Sequence, residues 1–483
     1  MESSSNASSA YASTVATPST TPPPSGSISN AGSDAENQSK LKSAFSVSTS
    51  LWDPEPVTDC VSAPPNRILL GILKRFIGVS DIASVRFSLP SQLLEPVPNL
   101  EYWNYLDRPE TFVSIGDSDD GLERFLGVLR FWFTKDLKFV KGKPCKPYNS
   151  TLGEFFRCSW DVETTLPPVP VPRPISRGSA KSKSTSISIP ASATVPTSKA
   201  PVRVSFLTEQ TSHHPPVSAF YIDCPDKGIS ARGYDQISAK FTGTSIRVTP
   251  GEHNLGIFIN LNSRGNESYR LTHPAASLGG LLRGSLNLYV EDVCYVTCPK
   301  TKLKAILHYL GDSWLGKAKH RVEGIIYEYG GEEDNITKIK DVPPKAVRAK
   351  IEGSWMTQTY YTLPGSSEKY LLIDLDPLVP AQKACPPPEI MLPNESRKMW
   401  QGVSDAIHAK DYARATQLKC EIEDRQREKA AARAAAELEW KPRFFEAPAL
   451  TAGQPTLSKD GELALKGLYT GDYKLAASGV TGA

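Results

Sequence analysis

"VRVSFLTEQTSHHPPVSAFYID", residues Val202 to Asp223, sets two alternating apolar runs on either side of a polar knot that ends in a double proline. Val, Phe, Ile and Tyr recurring at every second position mark strands with one face buried. Pro215 and Pro216 supply no backbone N–H, so they stop the first run and fix where the residues before them project. The same period recurs, up to about Leu375, in "ISARGYDQISAKFTGTSIRVT", "GIFINLN", "SLNLYVEDVCYVTC", "LKAILHYL", "HRVEGIIYEY", "AVRAKIEGSWMTQTYYTL" and "KYLLIDL". Many short strands with no helical pattern between them predict an antiparallel sheet large enough to sandwich or to close as a barrel. A barrel of this size has room for a ligand.

Helical patterns flank the strands. "NRILLGILKRFIG" (Asn66–Gly78) places Leu69, Ile72, Leu73, Phe76 and Ile77 on one helical face, with Lys74 and Arg75 off it. Such a face suits a short helix packed on a core, or a surface helix that closes over a cavity or touches a membrane. A helical region is predicted from about Asn99 to Phe133, and "GKPCKPYNSTLGEFF" then reads as a loop entering a strand. Beyond Glu395 the prevalence of Ala, Lys, Glu and Arg predicts two helices over about 395–440, broken near Lys410–Asp411. Residues 447–483 read as an irregular tail. Residues 1–50, and the basic Pro/Ser-rich stretch 166–201, hold too few large apolar side chains to offset folding entropy. Both are expected to be disordered, the second as an insert between ordered strands.

Hydrophobic residues make up 39% of the 483, enough for a sizeable core. The 55 basic residues against 52 acidic give no global field that gathers nucleic acid, so any anion contact must be local. Cys294 and Cys298 are the closest cysteine pair, and a CxxxC without a second pair is a weak zinc signal. No apolar run approaches the ~18 residues that span a bilayer. The chain reads as soluble and intracellular.

The polar knot "TEQTSHHPP" (Thr208–Pro216) admits several readings. Strand alternation would point His213 and His214 to opposite faces, which disfavours a shared metal. Ser212 and Thr211 adjoin the histidines, but contiguous residues seldom build a nucleophile–His–acid geometry, and no G-x-S-x-G elbow occurs. Imidazole N–H groups suit a phosphate; two hydrogen-bonded histidines at a barrel rim remain the plainer alternative. Lys419, Glu423 and Arg427, at i, i+4 and i+8, fall roughly on one helical face, as would any solvated Lys–Glu–Arg ladder. Lys146 and Asn149 in "KPYN" are by themselves a turn.

Together these clusters resemble the lipid-binding domain of the oxysterol-binding protein family. Glu209 to Pro216 reproduces its E-Q-x-S-H-H-P-P fingerprint. "KPYNSTLGEFF" (146–156) is similar to its K-P-x-N-P-x-L-G-E motif, with Ser150 in place of proline. "GYDQISAKF" (233–241), "ESRKMW" (395–400) and "KCEIEDRQR" (419–427) resemble its G-Y-x-Q, E-S-R-x-x-W and K-x-x-x-E-x-x-Q-R segments. The likeness covers about 66–446. "RFFEAPA" (Arg443–Ala449) partly resembles a receptor-recruiting two-phenylalanine motif, but without its acidic run; Trp440–Phe444 is expected to pack as part of the domain.

The resemblance implies a mainly β fold with flanking helices: a large antiparallel β-barrel over about 146–375 enclosing a lipid tunnel. An N-terminal lid over 66–78 and C-terminal helices would sit beside its mouth. It implies a non-enzymatic, short-type member without metal or cofactor. Such a protein is expected to be a cytoplasmic monomer that touches organelle membranes, such as Golgi and endoplasmic-reticulum contacts, transiently. Its ligands would be phosphatidylinositol 4-phosphate and a sterol or another lipid, such as phosphatidylserine. His213, His214 and Arg427 would grip the 4-phosphate, and Lys146, Asn149, Lys419 and Glu423 the rest of the headgroup. Asp235 stands where a sterol-binding member would carry Asn.

Overall fold

A computed structural model describes residues 78–79, 91, 94–141, 146–172, 200–279, 287–311, 320–331, 334–446 and 453–476. The expected lid residues Leu69, Ile72, Leu73, Phe76 and Ile77 lie outside these, as do residues 1–50 and 173–199.

The strands run in chain order as β1 (Leu94–Pro98), β2 (Lys146–Tyr148), β3 (Phe155–Val162), β4 (Val202–His213), β5 (Pro216–Cys224) and β6 (Ile229–Asp235). There follow β7 (Ile237–Phe241), β8 (Ile246–Pro250), β9 (Ile257–Leu261), β10 (Glu267–Leu271), β11 (Ala275–Gly279) and β12 (Asn287–Cys298). The last are β13 (Leu303–Tyr309), β14 (Arg321–Glu328), β15 (Val347–Ser354), β16 (Gln358–Thr362) and β17 (Tyr370–Asp374). Helices are α1 (Asn99–Tyr102), α2 (Pro109–Val113), α3 (Gly121–Thr134), α4 (Leu137–Lys141), α5 (Ser396–His408), α6 (Tyr412–Ala435) and α7 (Lys459–Thr470). The expected helical region 99–133 is thus three separate helices.

β1 and β2 form a small parallel pair. The other strands build one 15-stranded sheet in the order β17-β16-β15-β14-β13-β12-β10-β9-β6-β5-β4-β3, with β11, β8 and β7 branching from β12. The expected large antiparallel sheet is present, but among the described residues it is not a closed barrel: β3 and β17 do not pair. Helices occupy the gap. α2 packs on β3 and α3 on β17. The chain leaving β17 crosses to the free edge of β3, where Ser159 and Ala384 exchange two backbone hydrogen bonds of 2.8 Å.

One apolar cluster spans the inner face from Phe156 on β3 to Leu372 on β17 and takes in α2 and α3. The α3 sequence "GLERFLGVLRFWFT" is apolar nearly all round, which is the pattern of a buried helix. Eleven of its 14 residues are buried. Asp120 caps it by accepting from the N–H groups of Leu122 and Glu123. Arg124, the buried cation near its start, forms a two-pronged pair with Glu267 on β10 at 2.6 and 2.8 Å.

Two expectations of irregular chain are corrected. Residues 166–172 run over the core instead of dangling: Val169 is buried, and the carbonyls of Pro167 and Pro170 accept from Arg130 and the Tyr361 hydroxyl. The stretch 447–483 contains α7, capped by Ser458, whose hydroxyl accepts from Gly461 N–H. Ala464, Leu465 and Leu468 on α7 pack with Phe444, Phe445, Leu207 and Val217 on the outer face of the sheet. Phe444 accordingly packs as domain, as the sequence predicts.

Candidate functional site

The histidines sit at the end of a kinked strand. β4 and β5 pair Gln210 with Ser218 but Ser212 with Val217, so Thr211 is an extra residue, a bulge. Bulges re-aim the side chains beyond them. His213 ends β4 and His214 opens the turn to Pro216, through a cis His214–Pro215 bond. The two rings therefore do not point to opposite faces as strand alternation would have them. They stand edge-on, 4.8 Å between centroids. His213 is half-buried and His214 exposed. Gln210 Nε2 donates to His213 Nδ1 at 2.8 Å, which places the imidazole proton on Nε2. The Gln210 side-chain amide oxygen Oε1 is buried without a hydrogen-bond partner among the described residues.

Glu209, first residue of the fingerprint, turns away from this group. It is buried and accepts 2.8 Å hydrogen bonds from the N–H groups of Arg443 and Phe444. Burial pushes its carboxyl up to about 7, against those donors. Its role is to hold the chain after α6 against the sheet. Glu154 of "LGE" is the equivalent brace for α5: it accepts from Ser396 Oγ at 2.7 Å, Trp400 Nε1 at 3.1 Å and Thr151 N–H at 3.0 Å. Glu395 pairs with Arg157, and Arg397 with Glu101. The residues of "ESRKMW" are thus the contacts by which α5 lies on β3 and α1.

The loop 149–154 joins the clusters. Gly153 N–H donates to Gln210 O at 3.0 Å and Gln210 N–H to Glu154 O at 2.8 Å, tying the loop to the histidine strand. At its other end Asn149 is exposed, next to Tyr148, which stacks on Trp400 of α5. Lys146 opens β2, and its side chain lies outside the described residues. Tyr148 and Trp400 share an apolar cluster with Ala415 and Ile422 of α6. On that inner side of α6 lies Lys419, buried and paired with Glu423 at 3.2 Å. Arg427, two turns on, is exposed and engaged with Asp424. The structure thus links His213, His214, Gln210 and the 149–154 loop directly, and β2 with α6 through packing, while Arg427 faces outward.

A second polar group lies inside the sheet. Tyr105 donates its hydroxyl to Asp235, stacks on His273 and carries Lys135 over its ring at 5.1 Å. Lys135 pairs with Asp136 and also lies 4.4 Å over the Trp132 ring. Burial pushes Asp235 up to about 7 and His273 down to about 3. Burial also acts to raise Asp136, but the Lys135 and Lys138 charges outweigh it and hold the carboxyl low. Of this group only Asp235 stands out in the sequence; the others are far apart along the chain and share no motif. Among the described residues no cluster of three or more His, Cys, Asp or Glu side chains could hold a metal ion. No helix among them is long and apolar enough to cross a membrane.

The family model described as Oxysterol-binding protein matches residues 68–463. Oxysterol-binding protein-like protein 1 of Schizosaccharomyces pombe is 44% identical over 473 residues, covering 84% of this chain and 92% of that one. Human Oxysterol-binding protein-related protein 9 is 30% identical over 369 residues, 74% of this chain but 44% of the longer human one. Among solved structures, the Osh1 ORD domain in complex with ergosterol superposes with a TM-score of 0.58 at 19% identity, covering 93% of this chain and 100% of that one. Osh3 ORD in complex with PI(4)P, from Saccharomyces cerevisiae, gives 0.55 at 16%, covering 85% and 95%. At such identity these two likenesses bear on the fold alone. The family match runs from before β1 into α7 and takes in the histidine turn, its bracing loop and the C-terminal helices, so the chain belongs to the oxysterol-binding protein family.

Proposed function

We propose that this protein is a lipid transfer protein that extracts phosphatidylinositol 4-phosphate from one membrane and exchanges it for a sterol or another lipid. The observation that carries this reading is the edge-on imidazole pair, with Gln210 fixing the His213 proton on Nε2. Two adjacent N–H donors match two oxygens of one phosphate, and the dianion makes both contacts charge-assisted. Lys146, Asn149, Lys419 and Glu423 would surround the inositol ring, and Arg427, exchanging Asp424 for the phosphate, would complete the shell. Of the same fold, Osh3 ORD is solved with PI(4)P and Osh1 ORD with ergosterol, which makes ligands of both classes the ones to test here.

The acyl chains need an enclosure, because each methylene left in water costs about 0.8 kcal/mol. We assign that role to the space inside the 15-stranded sheet, with residues 66–78 as its lid. The protein would work without chemical turnover, as a monomer, touching the cytoplasmic faces of organelle membranes only in passing.

Transfer between donor vesicles containing phosphatidylinositol 4-phosphate and plain acceptor vesicles tests the reading. His213→Ala/His214→Ala is expected to lower extraction by at least about tenfold, the loss of two charge-assisted hydrogen bonds. Full extraction by that variant would sink the headgroup assignment. Binding without delivery would favour a lipid sensor or scaffold acting through a protein partner; released inositol phosphate would make the protein an enzyme.

A second reading concerns the counter-lipid. In the inner group, Lys135 and Asp136 offer both signs of charge beside Asp235 and His273, which suits a headgroup carrying an ammonium together with anionic groups, as phosphatidylserine does, better than a lone hydroxyl. Sterol and phosphatidylserine added as competitors in the same assay separate the two.

A further inference from the structure

Cys158 and Cys385 face each other across the seam between β3 and the chain that follows β17. Ser159 and Ala384 form an antiparallel bridge and exchange both backbone hydrogen bonds at 2.8 Å. One step back on β3 and one step forward on the crossing chain, the next opposed pair is Cys158 with Cys385, at a non-hydrogen-bonded position. Such positions bring Cα atoms to about 4.5 Å, with side chains closer than at the hydrogen-bonded pair. A disulfide tolerates a Cα separation of about 4.4–6.8 Å.

The surroundings divide the two thiols into different roles. Cys158 is fully buried in the inner apolar cluster, and burial pushes its thiol up. Cys385 is half-buried, and a hydrogen bond from Cys158 holds its thiol below the ordinary value, with the positive charges of Arg397 and Lys383 acting the same way. Cys385 also lines a surface pocket of about 370 Å³, together with Pro387, Met391, Arg397, Lys398 and Gln401. A small solute can therefore reach Cys385, while Cys158 is shielded by its burial.

We propose that Cys158 and Cys385 are a peroxide-responsive pair that closes to a disulfide. The Cys385 thiolate sulfur attacks one oxygen of hydrogen peroxide, the O–O bond breaks, and the departing hydroxide takes a proton and leaves as water. Cys385 is then a sulfenic acid. The Cys158 sulfur attacks it: the S–S bond forms, the S–O bond breaks, and the hydroxyl leaves as a second water with the Cys158 proton. Two thiols lose two electrons and one peroxide gains them. Because the chain after β17 crosses to β3 through residues 375–384, the new bond makes a covalent ring through the whole sheet, beside the Ser159–Ala384 bridge and where β3 and β17 themselves do not pair.

The test uses the full chain and hydrogen peroxide at a slight molar excess. Free thiols are counted, and unreduced digests are mapped by mass spectrometry. The expected result is a fall of two in the free-thiol count of this eight-cysteine chain, one linked peptide containing Cys158 and Cys385, and full reversal by a dithiol reductant. Cys385→Ser removes the link and leaves Cys158 reduced. Cys158→Ala traps the sulfenic acid, so that Cys385 takes up several-fold more dimedone than in the native chain. If Cys158→Ala does not fold, Cys385→Ser and the native digest decide alone. Peroxide-treated, folded protein that keeps both thiols, or that links other cysteines such as Cys294 and Cys298 equally, overturns the proposal.

Discussion

Asp235 shows how one side chain can tie stability to pH. Its ordinary value of 3.8 rises to about 7 because it is buried. The folded state therefore favours the protonated form, and that advantage is complete below about pH 4 and lost as pH rises through about 7. Asp235→Asn keeps an acceptor for the Tyr105 hydroxyl and has no proton to lose. Relative to the native chain the variant should gain stability steadily between about pH 4 and pH 7, by at most ~4 kcal/mol. His273, pushed down to about 3, leans the other way over much of this window, so the difference in Tm between variant and native chain is the readout. A difference that stays constant with pH would show that Asp235 does not titrate with folding. In the sequence Asp235 is visible only as a departure from a motif. What surrounds it comes from Tyr105, Lys135, Asp136 and His273, and no local pattern brings those together.

At the scale of elements, Glu209 and α7 hold the same piece of chain from two sides. Glu209→Ala orphans the Arg443 and Phe444 N–H groups, at roughly 1–3 kcal/mol each. Leu468→Ala opens a hole under α7, at roughly 2–5 kcal/mol. Urea denaturation should show both losses, and the double variant should lose less than their sum because each releases the segment the other secures. Additive losses would mean the two anchors are independent. The strands from β4 to β9 and β12 to β17 were legible because a half-buried strand repeats every second residue. "ESYRL" and "AASLG", which form β10 and β11, are short and lack a run of β-branched residues. The sequence "KDGELALKGLYT" hid α7 behind Gly461 and Gly467, although Ser458 was in place as a cap. The histidines' shared direction was hidden too, since the bulge at Thr211 depends on the register with β5.

For the whole molecule, the Arg124–Glu267 pair fastens the central helix to the wall around it. Glu267 also accepts from Tyr269, and Arg124 holds its carboxyl below the usual range against the effect of burial. Arg124→Met should cost about 3–5 kcal/mol, since it strands a buried charge. Adding Glu267→Gln should restore part of the loss, measured as a double-mutant cycle in urea; no recovery would mean that packing, not charge, accounts for the cost. The same helix has a consequence for synthesis. α3 leaves the ribosome early, yet its pairing partner Glu267 follows 143 residues later and β17 later still. Until those strands have been translated, an apolar segment waits without its surroundings, and segments of that kind aggregate or are held by chaperones. Cells making this protein must shelter the centre of the fold before they have made its rim.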